Sequence, residues 1–221
     1  HWIYDNYLHD SGGEGMYLGS TGSLGRDAYH YPNVSTSVYP QPILMGDIHV
    51  YNNIIYHTGR TGIQLNGQDH GQSSIHDNNI RQCGYEYNPS QGAGIALGDL
   101  SGNDSVYNNF IDSCYFNSFY SLAANGYVIV ENNHFGVSGS TEGRANPEKN
   151  ANILLRGRRG AIAANAAIPN NVNFILKNNT VGPSTANVDV VVYDDGNFIN
   201  PVGDTLCNTG DPAKLVNTPN V

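Results

Sequence analysis

The sequence is poor in charge, in basic residues above all, and it contains no long apolar run. Only 13% of the 221 residues are charged, and ten Lys and Arg stand against nineteen Asp and Glu, which gives a formal net charge of −9. An acidic chain lacks the basic face that binds phosphate, so nucleic acid is not expected as a partner. No stretch approaches the roughly 20 apolar residues of a membrane span, so membrane insertion is not expected either.

Cysteine is scarce as well, and its three residues are an odd count that offers no disulfide framework. Gly (26 residues) and Tyr (15 residues) are plentiful, and Asn recurs throughout the chain. So many turn-forming and aromatic residues with so little charge are typical neither of a helical protein nor of a disordered one. Chains of this composition are common outside the cell, and we therefore predict an extracellular or cell-surface location.

One pattern of six residues recurs six times: an apolar residue, two mostly polar residues, an Asn, a variable residue and a second apolar residue. A small side chain follows three residues later. Each repeat then continues into a second strand with the in-out-in alternation of a strand buried on one face. The Asn residues of the pattern are Asn6, Asn53, Asn78, Asn109, Asn133 and Asn179, and the second strands begin at Met16, Ile63, Ile95, Phe119, Ile153 and Val190.

Repeats of this length predict a solenoid. The Asn residues lie 47, 25, 31, 24 and 46 residues apart, whereas a coil of short strands and tight turns takes a little over about 20 residues. Each long gap is therefore either one coil with a large loop or two coils. We predict an all-β, right-handed parallel β-helix of about six to eight coils over residues 1–195, with two longer loop excursions. Residues 196–221 lack the repeated Asn and are predicted to form a C-terminal cover or linker.

Stacking of coils explains the choice of residues. Coils about 4.8 Å apart align equivalent positions in rows along the axis. An inward Asn at a turn can bond the backbone and the Asn of the next coil, which satisfies polar groups that the turn would otherwise bury. Cys83 and Cys114 occupy the same position in consecutive coils, and this leaves two alternatives, a disulfide or two free buried thiols.

These repeats resemble those of right-handed parallel β-helix proteins of the pectate-lyase-like superfamily, over nearly the whole chain. The runs Gly-Glu-Gly-Met-Tyr-Leu-Gly at 13–19 and Gly-Ala-Gly-Ile-Ala-Leu-Gly at 92–98 are similar to those of its bacterial extracellular members. The superfamily includes polysaccharide lyases, glycoside hydrolases and adhesins. The resemblance implies polysaccharide as a partner and a site on the outer face of a sheet, in a groove walled by loops.

On that analogy, the outward positions of the second strands are candidate sugar-binding residues. Tyrosine offers a flat face for stacking, and Gln and Asn offer paired donors and acceptors. The alternative is a set of ordinary solvent-facing strand residues. The candidate substrate-binding residues are Tyr17, Gln64, Asn66 and Asp99.

The only basic cluster follows a second strand and supplies the candidate catalytic residues. A lyase that acts on uronic acids needs cations to neutralise the substrate carboxylate and a base to remove the α-proton. Arg156, Arg158 and Arg159 offer the cations, and Tyr120 or one of the Arg offers the base. The alternative is a surface network between these Arg and the Asp pair at 194–195.

No recognised catalytic signature accompanies this cluster. The Asp and His motifs of polygalacturonase-type hydrolases are missing, and so are the calcium triad and Arg signature of pectate lyases. Whether the protein is an enzyme therefore stays open. The eight His are scattered without the spacing of metal ligands, so no cofactor is predicted. A calcium ion bound in a turn stays open, without a loop motif to support it.

The first repeat already begins at Ile3, and an open terminal coil would expose unpaired backbone groups and the apolar interior. We therefore expect further chain or another domain to stack on the N-terminal end, in a longer surface protein. Taken together, the sequence predicts a β-helix protein that binds polysaccharide and that cleaves it if the Arg cluster is catalytic. The alternative is a non-catalytic structural or adhesive solenoid.

Overall fold

The computed structural model describes residues 1–19, 46–66, 71–88, 91–139, 151–157, 171–182, 190–193, 197–202, 205–206 and 215–218. The secondary structure of these residues is strand, turn and bend. No helix among them is long and apolar enough to cross a membrane.

Nineteen strands follow one another along the described part of the chain. The first ten are β1 (Trp2–Tyr4), β2 (Tyr7–Ser11), β3 (Met16–Gly19), β4 (His49–Tyr51), β5 (Ile54–Thr58), β6 (Ile63–Asn66), β7 (Ser74–His76), β8 (Asn79–Cys83), β9 (Ile95–Tyr107) and β10 (Phe110–Asp112). The others are β11 (Phe119–Glu131), β12 (His134–Phe135), β13 (Ile153–Gly157), β14 (Asn171–Lys177), β15 (Thr180–Val181), β16 (Val190–Tyr193), β17 (Asn197–Val202), β18 (Thr205–Leu206) and β19 (Leu215–Thr218).

All strand pairs are parallel, and they form one sheet of twelve strands and one of seven. Each coil contributes a first strand, a strand of the seven-stranded sheet and a second strand. The long strands β9 and β11 run from the second-strand face of one coil into the first-strand face of the next and so join both faces into the twelve-stranded sheet. The predicted parallel β-helix is confirmed.

The two long gaps between Asn residues are one coil each. Trp2 pairs directly with His49 across the first gap, and Glu131 pairs directly with Lys177 across the second. Since neighbouring coils are already in contact on both sides of each gap, no degenerate coil lies between them. The loop excursions predicted in these gaps lie largely outside the described residues.

Strands continue beyond residue 195. β17 pairs with β14, β18 with β15 and β19 with β16, always in parallel. Part of the segment predicted as a C-terminal cover or linker therefore extends the sheets of the solenoid by one more set of strands. The domain boundary at residue 195 stays a prediction.

The repeated Asn residues form an unbroken chain of hydrogen bonds along the axis. In the middle of this ladder, Asn109 Nδ2 donates to Asn133 Oδ1 at 3.0 Å and to the carbonyls of Ile75 and Tyr107 at 2.9 and 3.0 Å. Asn109 Oδ1 accepts from the backbone and side-chain nitrogens of Asn78 at 3.1 and 2.9 Å. One buried amide thus satisfies backbone groups of its own and the preceding coil and links the neighbouring coils.

The residue before each ladder Asn has a left-handed backbone conformation, with φ of 54° or 55°. A non-glycine residue rarely adopts positive φ, and Asn and Asp tolerate it best because their short side chains bond locally. The sequence meets this demand at every repeat, with Asp5, Asn52, Asp77, Asn108, Asn132 and Asn178.

Apolar rows fill the interior. The first apolar position of the repeat is fully buried at Val50, Ile75, Val106, Val130 and Leu176. Cys83 and Cys114 are buried and unpaired, so of the two alternatives for these residues the structure has the free thiols. The neighbouring Cys83 thiol and burial together raise the pKa of Cys114 well above its ordinary value, which keeps that sulfur in the unreactive thiol form.

Replacing Asn109 by Ala tests the ladder. The change removes the acceptor of the Asn78 backbone N–H and one partner each of Asn78 Nδ2 and of the Ile75 and Tyr107 carbonyls, so we expect the free energy of unfolding to fall by about 3 kcal/mol. Urea denaturation would measure it. The matched control is Asn103→Ala, at an exposed position of β9, the strand that precedes Asn109, which should change stability little. Equal effects of both variants would contradict a structural role for the ladder.

Candidate functional site

The row predicted to carry sugar-binding residues exists. Tyr17 pairs with Gln64, Gln64 with Ala96, Ala96 with Tyr120 and Tyr120 with Leu154. These residues share the outer face of the second strands because they alternate with buried core residues such as Ile63 and Leu65 in β6. The sequence therefore identified the row and its order correctly.

The exposure of this row differs from the expectation. Gln64 is 8% exposed and Asn66 is 4% exposed, and Ala96 and Leu154 in the same row as Gln64 are buried too. Only Tyr17, at 38%, is exposed. At these positions the row is therefore neither an open groove of polar side chains nor a solvent-facing strand surface. The alternation within a strand shows which residues share a face, but it does not show whether that face is covered.

Three of the predicted substrate-binding residues come together. Asn66 Nδ2 donates a hydrogen bond of 3.2 Å to the Tyr17 hydroxyl, and Gln64 is the strand partner of Tyr17. Gln64 Oε1 is buried and has no hydrogen-bond partner among the described residues. A buried acceptor without a donor costs about 1–3 kcal/mol. We call these three residues the Tyr17 cluster.

The fourth predicted residue, Asp99, lies at an irregularity of the same sheet. The register between β9 and β11 shifts between Leu122 and Ala123, because Asp99 has no partner on β11. It shifts again at Ala124, which has no partner on β9. Such β-bulges redirect the chain locally and are frequent beside active sites. The backbone of Asp99 directly follows Gly98, the strand partner of Asn66, so Asp99 is near the Tyr17 cluster in the sheet.

The predicted catalytic residues are only partly within the described chain. Tyr120 pairs with Leu154 and Leu122 pairs with Arg156, so the backbones of Tyr120 and Arg156 are diagonal neighbours on adjacent parallel strands. Arg158 and Arg159 lie outside the described residues. The convergence of the three Arg on Tyr120 stays a prediction.

A concave surface elsewhere on the solenoid was not predicted. An open depression of about 280 Å³ is lined by His57, Gln82, Cys83, Tyr85, Tyr87, Ser113 and Tyr115. We call it the tyrosine depression. Its aromatic residues follow the small repeat residues Cys83 and Cys114 in consecutive coils, and this recurrence of Tyr after a buried Cys was the signal available in the sequence.

The His residues pair with carboxylates instead of clustering. Asp10 lies 2.8 Å from His9 Nδ1 and 2.7 Å from His57 Nδ1, and these two hydrogen bonds lower the pKa of Asp10 below its ordinary value. Within the described ranges, no three His, Cys, Asp or Glu side chains are arranged to hold a metal ion.

One carboxyl group is buried in the interior. Asp104 of β9 is 4% exposed and pairs with the core residue Val128. Burial raises the pKa of Asp104 to about 7, and a 3.3 Å hydrogen bond from the Ser73 backbone N–H opposes the rise. Because Asp104 faces the interior, it belongs to the core and to neither the Tyr17 cluster nor the tyrosine depression.

The described strands define the class of protein, a parallel β-helix. The protein family described as Disaggregatase related matches residues 45–200, which is more than half of the chain, and the protein belongs to this family. No curated protein and no solved structure gives a significant match. The resemblance to the pectate-lyase-like superfamily and the right-handed twist of the coils stay predictions.

Asp104→Asn should make stability less dependent on pH. The folded-state pKa of Asp104 is about 7 against an ordinary value of 3.8, so the folded protein loses stability as pH rises between these values and stays at the lower level above pH 7. The whole loss is about 4 kcal/mol at most, at 1.4 kcal/mol per pH unit.

Denaturation of the parent protein and of the Asp104→Asn variant from pH 4 to pH 8 would measure this effect. We expect Asp104→Asn to match the parent at pH 4 and to exceed its stability at pH 8. The exposed carboxyl of Asp5 provides the control variant Asp5→Asn. A stability difference that is constant from pH 4 to pH 8 would show that the pKa of Asp104 does not change on folding.

Proposed function

We propose that this β-helix protein binds polysaccharide at the cell surface or outside the cell, through the Tyr17 cluster on the outer face of its second strands. The observation that carries the proposal is the hydrogen bond from Asn66 to the hydroxyl of the exposed Tyr17, whose strand partner is Gln64. Flat aromatic surface next to amide groups is the chemistry that sugar rings need, since a ring has apolar faces and hydroxyl edges.

The two amides have different parts in this proposal. Asn66 holds the Tyr17 hydroxyl and so fixes the orientation of an exposed ring, which lowers the entropy lost when a sugar stacks on it. Gln64 is the buried strand partner of Tyr17 and supports the strand that carries the ring. The half-buried Tyr120 lies three coils from Tyr17 along the same row, so a polymer that follows the solenoid axis would meet both tyrosines.

Cleavage by a lyase-type reaction is the finer form of the proposal. In such a step a base removes the proton next to the uronate carboxylate, the glycosidic oxygen leaves from the neighbouring carbon and takes up a proton, and a double bond forms between the two carbons. Tyr120 would serve as the base and Arg156, Arg158 and Arg159 would neutralise the carboxylate. The position of Tyr120 diagonal to Arg156 is compatible with these roles.

The family description adds indirect support, because it refers to a disaggregatase. Contact with a polymer that holds an aggregate together would be a natural role for a surface solenoid. The alternative is a non-catalytic structural or adhesive solenoid. The continuous Asn ladder favours rigidity in either case, so only a glycan experiment separates them.

Tyr17→Ala should weaken polysaccharide binding. We expect a loss of about fivefold to tenfold in affinity, because the exposed ring supplies the stacking surface. Asn66→Ala should weaken binding less, since the ring stays but loses its fixed orientation. Affinity electrophoresis or calorimetry with a panel of neutral and uronic polysaccharides would measure both. Tyr7→Ala provides the control, as Tyr7 is also exposed but lies on the seven-stranded sheet.

Mass spectrometry of the incubated polymers reports on cleavage at the same time. Unsaturated oligosaccharides would establish a lyase and should disappear in Tyr120→Phe, whereas saturated products would indicate hydrolysis. Binding without products would leave a glycan-binding solenoid. If no polysaccharide binds, or if Tyr17→Ala binds as well as the parent, the proposed site is wrong.

A further inference from the structure

We propose that the tyrosine depression is a second saccharide site, which takes an uncharged sugar ring. It lies on the turns that follow β5, β8 and β10 and shares no residue with the Tyr17 cluster. The inference goes beyond the polysaccharide site proposed above and does not depend on it.

The first argument is the aromatic surface. Tyr87 is 54% exposed and meets Tyr115 edge to face, with ring centroids 4.4 Å apart and an angle of 64°. Tyr85 is 38% exposed and stacks on His57 at 4.3 Å, so one face of its ring is covered and the other is left for a ligand. Large exposed aromatic side chains grouped around one concavity are a feature of binding sites rather than of ordinary surface.

The second argument is that the rings are held in place before any ligand arrives. The backbone nitrogens of Gly84 and Glu86 donate to the carbonyls of Thr58 and Gly59 at 2.8 and 2.9 Å. The Tyr85 hydroxyl donates to the Ser11 carbonyl at 3.1 Å. The loop that carries Tyr85 and Tyr87 is therefore fastened to the preceding coils, and such preorganisation reduces the entropy lost on binding.

An ion pair fastens the same loop from its other side. Arg60 Nε lies 3.5 Å from Glu86 Oε2, and Arg60 Nη1 lies 3.8 Å from Glu14 Oε1. The Nε group makes no hydrogen bond of good geometry, so this contact acts through charge and not as a directed bond. These three charged groups are thus engaged with one another and stand outside the lining of the depression. Asp10 and Asp112 also stand outside it and are hydrogen-bonded to His57 and Ser113 of the lining.

The third argument is the polar lining. His57, Gln82 and Ser113 occupy the same position in consecutive coils, each just before the small repeat residue, and have φ of 53°, 55° and 59°. Asp10 has φ of 52° at the same position of the preceding coil, so this left-handed conformation belongs to the repeat. In three consecutive coils it places a polar side chain in the lining of the depression, beside the tyrosines.

The lining determines the class of ligand. It contains three tyrosines, a His, a Gln, a Ser and a Cys, and no Asp, Glu, Lys or Arg. A uronic acid would find no cation to pair with its carboxylate, and the net charge of −9 would oppose its approach. A neutral ring with apolar faces and hydroxyl groups matches aromatic faces flanked by amide and hydroxyl groups.

The test uses the full chain labelled with nitrogen-15 and tetrasaccharides of glucose, galactose, mannose and N-acetylhexosamine, with an oligogalacturonate as the anionic comparison. We expect at least one neutral tetrasaccharide to shift the amide signals of residues 82–87 and of Tyr115. Tyr87→Ala should weaken that binding about tenfold. The control is Tyr127→Ala, at a similarly exposed Tyr of a different face, which should bind as the parent does.

A second variant separates binding from folding. Gln82→Gly relieves the left-handed strain and removes one polar side chain from the lining, so we expect weaker sugar binding without a lower thermal midpoint. A residue with a structural role only would leave the affinity unchanged.

Three results would overturn the inference: no shift with any neutral tetrasaccharide, a preference for the oligogalacturonate, or full affinity in Tyr87→Ala. The Tyr17→Ala variant keeps this site distinct from the polysaccharide site proposed above. It should bind the polymer more weakly and keep the tetrasaccharide shifts at residues 82–87, and loss of those shifts in Tyr17→Ala would show that the depression is not a separate site.

Discussion

The fold depends on one constraint, which is that every turn toward the interior buries backbone polar groups that need partners. The ladder amides meet it in each coil, because one side chain bonds its own coil, the preceding one and the next Asn. Coils can then stack without water at the turn, and the apolar rows beside the ladder close into a continuous interior. The left-handed residue before each Asn is part of the same solution, since the chain must turn sharply to bring the amide inward.

This internal regularity leaves the outside of each coil largely free to vary. Strand positions that face inward are fixed by the row they join, whereas outward positions and the loops after the small repeat residue carry no such demand. Both proposed sites lie at these unconstrained places: the Tyr17 cluster on the outer face of the second strands, and the tyrosine depression at the ends of β5, β8 and β10 and on the turns that follow them. A rigid solenoid with variable edges is well suited to holding side chains at fixed separations along a polymer.

Repetition made the strands predictable and gave no information about the loops. The rows of Ile3 with Val50 and of Tyr17 with Gln64 follow from aligning the sequence with itself, and both registers are confirmed. The burial of Gln64 does not follow, because the alternation within a strand does not show whether its outer face is covered. Nor does the depression follow from the repeat, since its tyrosines meet through loop conformations. The burial of Asp104 could have been predicted from the sequence, because Asp104 lies two residues before Val106 and so shares its inward face.

The departures from the repeat are therefore the most informative part of the molecule. An unpaired residue at Asp99 interrupts a register that is otherwise regular, and exposed tyrosines surround the depression. Natural sequences are locally consistent with their fold except where function opposes it. The left-handed position of His57, Gln82 and Ser113 recurs at Asp10, outside the depression, so its conformation belongs to the repeat. The exposed tyrosines beside these residues are a different matter, because the stacking of the coils does not require them. A ligand that stacks on their rings supplies a cause.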